Sequence, residues 1–124
     1  MSDGAATLAD LAIDGRQNED IRRLLDVLDL IATERLRLHG GDEQGAVMRL
    51  LMRRLIDGDA AGLPLLRLAK ETGIPRETLR RKLGPLLNKR FLVQDEAGRY
   101  RIGKAYVVAS FASRQAVLAA LATL

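Results

Sequence analysis

The sequence predicts a mainly α fold with one small β-hairpin, and three observations carry that expectation. Apolar residues recur at helical spacing through most of the chain. Residues 63–103, LPLLRLAKETGIPRETLRRKLGPLLNKRFLVQDEAGRYRIG, place two short amphipathic helices on either side of a glycine and then two short strands around Asp95-Glu96-Ala97-Gly98. The same stretch holds ten Lys/Arg against four acids, +6 within a chain of net charge +4, so the remainder is slightly acidic.

Composition sets the bounds. With 124 residues, 48% hydrophobic and 29% charged, the chain suffices for one domain with a proper core. The absence of cysteine excludes disulfides, cysteine zinc ligands and thiol nucleophiles, and suits a cytoplasmic protein. An aromatic content of 3% without Trp argues against the stacking platforms of single-strand and RNA binders.

Residues 1–17 are rich in Ala and small polar side chains, lack the basic start and apolar core of a signal peptide, and read as a flexible arm. Alternatively, Leu8, Leu11, Ala12 and Ile13 could form one helical turn docked on a partner. The single domain then spans 18–124. Asn18 can cap a helix reaching about residue 38, with Glu19 and Asp20 opposing its dipole and Ile21, Leu24, Leu25, Leu28 and Ile31 on one stripe. The spacing of Ile21, Leu24, Leu28 and Ile31 is that of a and d positions, so the stripe serves either the chain's own core or a dimer interface.

His39-Gly40-Gly41 breaks this helix, with His39 favourable to the dipole at its C-terminal end. Asp42 caps a second helix over 43–56, with Val47, Leu50, Leu51 and Leu55 inward and Arg49, Arg53 and Arg54 outward. Residues 57–62 form a loop in which Asp57 and Asp59 read as turn chemistry, because two acids without further oxygen ligands fall short of a metal site.

Pro64 opens the next helix, where its missing N–H costs nothing. Leu65, Leu66, Leu68 and Ala69 are its apolar residues, Gly73 ends it in the left-handed conformation, and Ile74 plugs the turn. The following helix runs from about Pro75 to Arg90 and buries Leu79, Leu83, Leu86 and Leu87. Its opposite face carries Glu77, Arg81, Gly84 and Asn88, flanked by Thr78 and Arg80. In the hairpin, Phe91, Val93, Tyr100 and Ile102 are expected to face the core and Arg99 and Arg101 to face outward. Helix, turn, helix and hairpin in this order make a winged helix-turn-helix, with the helix-turn-helix at 63–90 and the wing at 91–103.

A last helix, 104–124, is too apolar for a free surface. It has the length of a membrane span, but Arg114 and Gln115 at its middle oppose one, a central charge costing on the order of 3 kcal/mol on insertion scales. Burial against the first helix and a second subunit explains it better. Its alanines would allow close approach while Tyr106, Phe111, Val117, Leu118 and Leu121 supply bulk.

On the residues Gly73-Ile74-Pro75-Arg76-Glu77-Thr78-Leu79 and Arg81, the stretch resembles the recognition helix of Crp/Fnr-type bacterial transcription regulators, over about a third of the chain. The resemblance implies base reading by Arg76, Glu77 and Arg81. Two departures stand out: Pro75 replaces the usual capping Ser, and no cyclic-nucleotide domain precedes the motif. Helices on both flanks make the layout more similar to MarR-like dimers.

Arg and Glu suit base reading chemically, Arg through two hydrogen bonds to guanine O6 and N7 and Glu by accepting from cytosine N4. Thr78, Arg80, Lys82, Asn88, Lys89, Arg67, Arg99 and Arg101 are the candidates for other groove or phosphate-backbone contacts, and a basic module is what counterion release requires. A homodimer is expected through Ile21, Leu24, Leu28 and Ile31 on the first helix and Phe111, Val117, Leu118 and Leu121 on the last.

One histidine, no cysteine and no phosphate-cradling glycine loop leave no catalytic set. No enzyme activity, cofactor or membrane partner is expected. A ligand pocket would lie between the winged module and the dimer helices, where no polar constellation announces one. The expectation is therefore a sequence-specific duplex DNA binder acting in the nucleoid as a bacterial transcription regulator. A protein-protein interaction scaffold and a non-specific architectural or replication-associated DNA binder remain the alternatives.

Overall fold

The computed structural model describes residues 4–11 and 15–124. It is mainly helical with a small antiparallel sheet: α1 (Gly15–His39), α2 (Asp42–Ile56), β1 (Leu63–Pro64), α3 (Leu65–Thr72), α4 (Arg76–Asn88), β2 (Leu92–Gln94), β3 (Arg99–Ile102) and α5 (Lys104–Leu121). A 3₁₀ turn, Leu8–Leu11, precedes them. The expectation for Ala12 and Ile13 lies outside the described residues.

The helix expected from Asn18 begins at Gly15, so Asn18 falls inside its first turn and residues 15–17 are not part of an arm. Asn costs only about half a kcal/mol within a helix, less than the backbone bonds gained by starting earlier. The inward face of α1 also differs from the expected one. Val27 and Leu38 are buried and Ile31 is half-buried, while Ile21, Leu24, Leu25 and Leu28 stand exposed. Burial of that stripe in the chain's own core is thus excluded for all but Ile31.

α2 starts from Gly41, whose N–H donates to the Gln44 side chain at 3.1 Å, so Gly41 and not Asp42 precedes the helix. Val47, Met48 and Leu51 are buried and Leu50 is half-buried, whereas Leu55 faces out. The true stripe is rotated toward Met48 because α2 must meet both α3 and α4. α3 and α4 bury Leu68 and the row Leu79, Leu83, Leu86 against it, and with Leu63, Leu92, Tyr100 and Tyr106 they close one apolar cluster. Each fully buried Leu contributes roughly 1.5–3 kcal/mol.

Leu63 and Pro64 form a third strand absent from the sequence reading. The sheet order is β1-β3-β2, antiparallel throughout, with Leu63 opposite Tyr100 and Pro64 opposite Arg99. Pro64 therefore precedes α3 in an extended conformation instead of opening it. Being at a sheet edge, it needs no N–H for the ladder. Gly62 enters this strand at φ +78°, and a Cβ there would overlap the Tyr100 carbonyl.

The hairpin register is shifted by one from expectation. Leu92 pairs with Ile102 on the buried side, and Val93 pairs with Arg101 on the exposed side. The cause lies at the end of α4. Arg90 takes φ +62°, its N–H donating to Leu87 O at 3.0 Å and the Phe91 N–H to Leu86 O at 2.9 Å, the two bonds of a Schellman turn. That turn carries Phe91 back onto Tyr106, ring centroids 5.5 Å apart, and leaves Leu92 as the first inward strand residue.

α5 packs on α1. Its buried residues are Tyr106, Ser110 and Ser113, so a polar, small-residue stripe meets α1 and the larger apolar side chains point away. This inverts the expectation that alanines would line the contact, because serines are equally compact and can bond to neighbouring polar groups. Tyr106 joins the core and not an interface. Among the described residues no helix is long and apolar enough to cross a membrane.

Candidate nucleic-acid interface

The surface of interest is the outer face of α4 with the adjoining hairpin. α4 is fixed by its buried leucine row, which leaves its other residues no freedom to turn inward. Pro75 precedes it in an extended conformation, and the Leu79 N–H bonds to Pro75 O at 2.9 Å, so the missing serine cap is replaced by backbone geometry. Pro85 lies inside the helix, where it removes the N–H that would otherwise meet the Arg81 carbonyl.

Arg76, Glu77, Arg80 and Arg81 are exposed on the first two turns, Thr78 and Lys82 are half-buried beside them, and Asn88 is exposed at the far end. Arg80 donates to Glu77 at 3.0 Å. Arg76 and Arg81 have no ion-pair partner among the described residues, so their charges are uncompensated within the chain. Lys70 of α3 joins this side by lining, with Leu66, Pro75 and Arg76, an open hollow of about 640 Å³. The sequence reading placed Leu66 among the apolar residues packed inward; it is exposed here.

The other nominated cations are distributed less uniformly. Arg67 is engaged by Glu71 at 3.2 Å, an acid that also lies 4.0 Å from Arg54. Arg99 faces outward from β3 and shares a groove with Arg67 and Pro64. Arg101 is exposed but leans against Gly62 and over the 57–62 loop, beside Asp59 and Leu55, and so belongs to the α2 end of the molecule. Lys89 sits 5.7 Å over the Phe91 ring, held at the start of the hairpin.

Asp59 shows why its loop is a turn and not a cation site. Its Oδ1 accepts the Ala61 N–H at 3.1 Å, and its carboxylate is paired with Arg54. The Ala61 bond is the largest influence holding its carboxyl below the usual range, with Arg54 and Arg99 adding to it. Among the described residues no cluster of His, Cys, Asp and Glu could hold a metal ion.

Arg90 carries a positive φ that only its backbone position reveals, since Arg rarely occupies that conformation. No family model, curated protein or solved structure matches this chain.

Proposed function

We propose that α3, α4 and the β2–β3 hairpin form a winged helix-turn-helix that binds duplex DNA with α4 in the major groove. The observation that carries this reading is the asymmetry of α4. One side is wholly buried leucine; the other presents Arg76 and Arg81 without carboxylate partners. An α-helix fits the major groove, and unpaired guanidinium groups on its first turns can reach base edges. Arg99, Lys89 and Lys82 supply sequence-independent phosphate contacts around it.

The protein acts as a homodimer through α1 and α5, and sequence-specific binding by such a dimer is the activity of a bacterial transcription regulator working at the nucleoid. The exposed apolar side chains on these two helices support the dimer.

The test is binding of the purified chain to random and selected duplexes at two salt concentrations. Affinity should fall steeply with salt, and a preferred sequence should emerge from the random pool. Arg99→Ala should lower affinity about equally on all sequences and reduce the salt slope by roughly one unit. Salt-independent or absent binding would refute the reading.

A further inference from the structure

A cavity of about 430 Å³ lies between α1, α2 and α5, away from α4. The His39–Tyr106 ring contact, together with the Ser113 hydroxyl bonding to Glu34, shows that α1 and α5 run antiparallel along it. The cavity is consequently graded. Arg35, His39 and Arg49 line one end, and Ile31, Val117 and Leu118 line the other.

The polar end is built around Gly45. Arg49 Nη1, Arg35 Nη2 and His39 Cε1 all stand within 3.2 Å of the point a Cβ of Gly45 would occupy, so the missing side chain is what lets the three groups converge. Their charges are poorly matched. Asp42 accepts from Arg35 at 2.7 Å, Glu34 is taken by Arg37, and Arg49 has no carboxylate partner among the described residues. Arg114, midway along, bonds to Ser110 and faces no acid.

His39 supplies a second, independent sign of a missing partner. It is only 8% exposed, yet its Nδ1 has no hydrogen bond, and neither has the buried Nε of Arg35. A buried nitrogen without a partner costs on the order of 1–3 kcal/mol, and such atoms in a lined cavity point to a ligand that would satisfy them. Burial, reinforced by Arg35 and Arg49, holds the imidazole below its ordinary range, so at neutral pH it offers a hydrogen bond and the arginines offer the charge.

We propose that this cavity binds a small organic anion, with a carboxylate on Arg49, Arg35 and His39 and an apolar body along Ile31, Val117 and Leu118. Arginine forks match carboxylate geometry, which selects the head group. The apolar end selects against a bare inorganic ion, and the volume lies in the range of small-molecule sites.

Octanoate, 1-octanol and acetate separate head from tail and can be titrated calorimetrically into the intact protein without DNA, so the outcome is independent of the DNA-binding reading. Octanoate should bind at one site per chain, at least about tenfold tighter than octanol or acetate. Arg49→Met, on an exposed position of α2, should weaken octanoate by about tenfold or more and leave octanol unchanged. Gly45→Ala should weaken it too, by displacing the converging groups. Octanol binding as tightly as octanoate, octanoate binding indifferent to Arg49→Met, or no octanoate binding at millimolar concentration would each overturn the proposal.

Discussion

Arg80 donates to the Glu77 carboxylate at 3.0 Å across one turn of α4, so the only acid on the exposed face of that helix is already held by its own neighbour. Both side chains are largely exposed, and such a pair contributes only about 0.3–0.5 kcal/mol. Glu77 can therefore exchange Arg80 for a cytosine amino group with little loss. Glu77→Ala should relax discrimination at one base position while leaving overall affinity level or higher, since it removes a negative charge and frees Arg80. Binding to single-base variants of the preferred duplex measures this. Unchanged discrimination at every position would reduce Glu77 to a favourable charge at the positive end of the helix dipole.

Arg81 differs from Arg80 in having no acid within reach, and its side chain is exposed on the second turn. Arg81→Ala should cost on the order of 1–3 kcal/mol on the preferred site and much less on random DNA. Competition binding with both duplexes decides the point. Equal losses would make Arg81 a phosphate clamp, and the regulator reading would lose its main support.

The leucines of α3 and α4 were legible in the sequence because their helical period is unbroken and each helix has one buried side. Gly73 was equally legible, ending α3 at φ +72° as its position implied. What escaped the sequence depended on partners distant along the chain. Leu63 and Pro64 become a strand only because Tyr100 and Arg99 lie opposite, and two residues carry no period of their own. The hairpin register turned on Arg90 adopting a conformation that its residue type disfavours. The cluster of Arg35, His39 and Arg49 was hidden because it spans two helices and is organised by the absence of a side chain at Gly45.

His39 gives the fold a pH dependence whose sign is fixed. Its unfolded pKa is near 6.5, and burial lowers it in the folded state. Above 6.5 both states are neutral and the full contribution is present. As pH falls below 6.5 the unfolded chain takes up the proton first, and stability declines until the folded pKa is passed. One proton limits the slope to about 1.4 kcal/mol per pH unit. Urea midpoints should fall between about pH 7.5 and pH 5.5, and His39→Gln should abolish most of that fall. The lowered carboxyls of Glu34 and Asp59 do not interfere, since their contributions are lost only below ordinary values of 4.5 and 3.8. An unaltered pH dependence in His39→Gln would move the effect to another group.

Arg90 occupies at φ +62° a position where glycine is free of steric cost. The left-handed conformation costs a side-chain-bearing residue about 1 kcal/mol, partly offset by the greater entropy glycine loses on folding. Arg90→Gly should raise stability by several tenths to about 1 kcal/mol. It should also weaken duplex binding uniformly across sequences, because it deletes a cation at the start of the hairpin. Denaturant unfolding and random-duplex binding on the same variant read both effects. A gain in stability with unchanged binding would show that Arg90 has no part in contacting DNA.

α1 and α5 together expose Leu24, Leu28, Phe111 and Leu118 at 44%, 50%, 58% and 60%, values unusual for so many large side chains on two packed helices. Ile21 and Leu121 extend the same surface, while Ile31 and Val117 are half-buried between the helices. Covering such a surface is the ordinary function of a subunit interface, and a two-fold arrangement would set two α4 helices one turn of DNA apart. Sedimentation should show a dimer at micromolar concentration. Leu28→Glu and Leu118→Glu both substitute positions open to solvent in the single chain, so neither should lower monomer stability by more than roughly half a kcal/mol. Each should nonetheless dissociate the dimer, because a charge must then be buried without a partner. Dissociation would also lower affinity for a two-half-site duplex far more than for a single half-site. A wild-type monomer, or dimers untouched by either glutamate, would mean that this surface serves another partner.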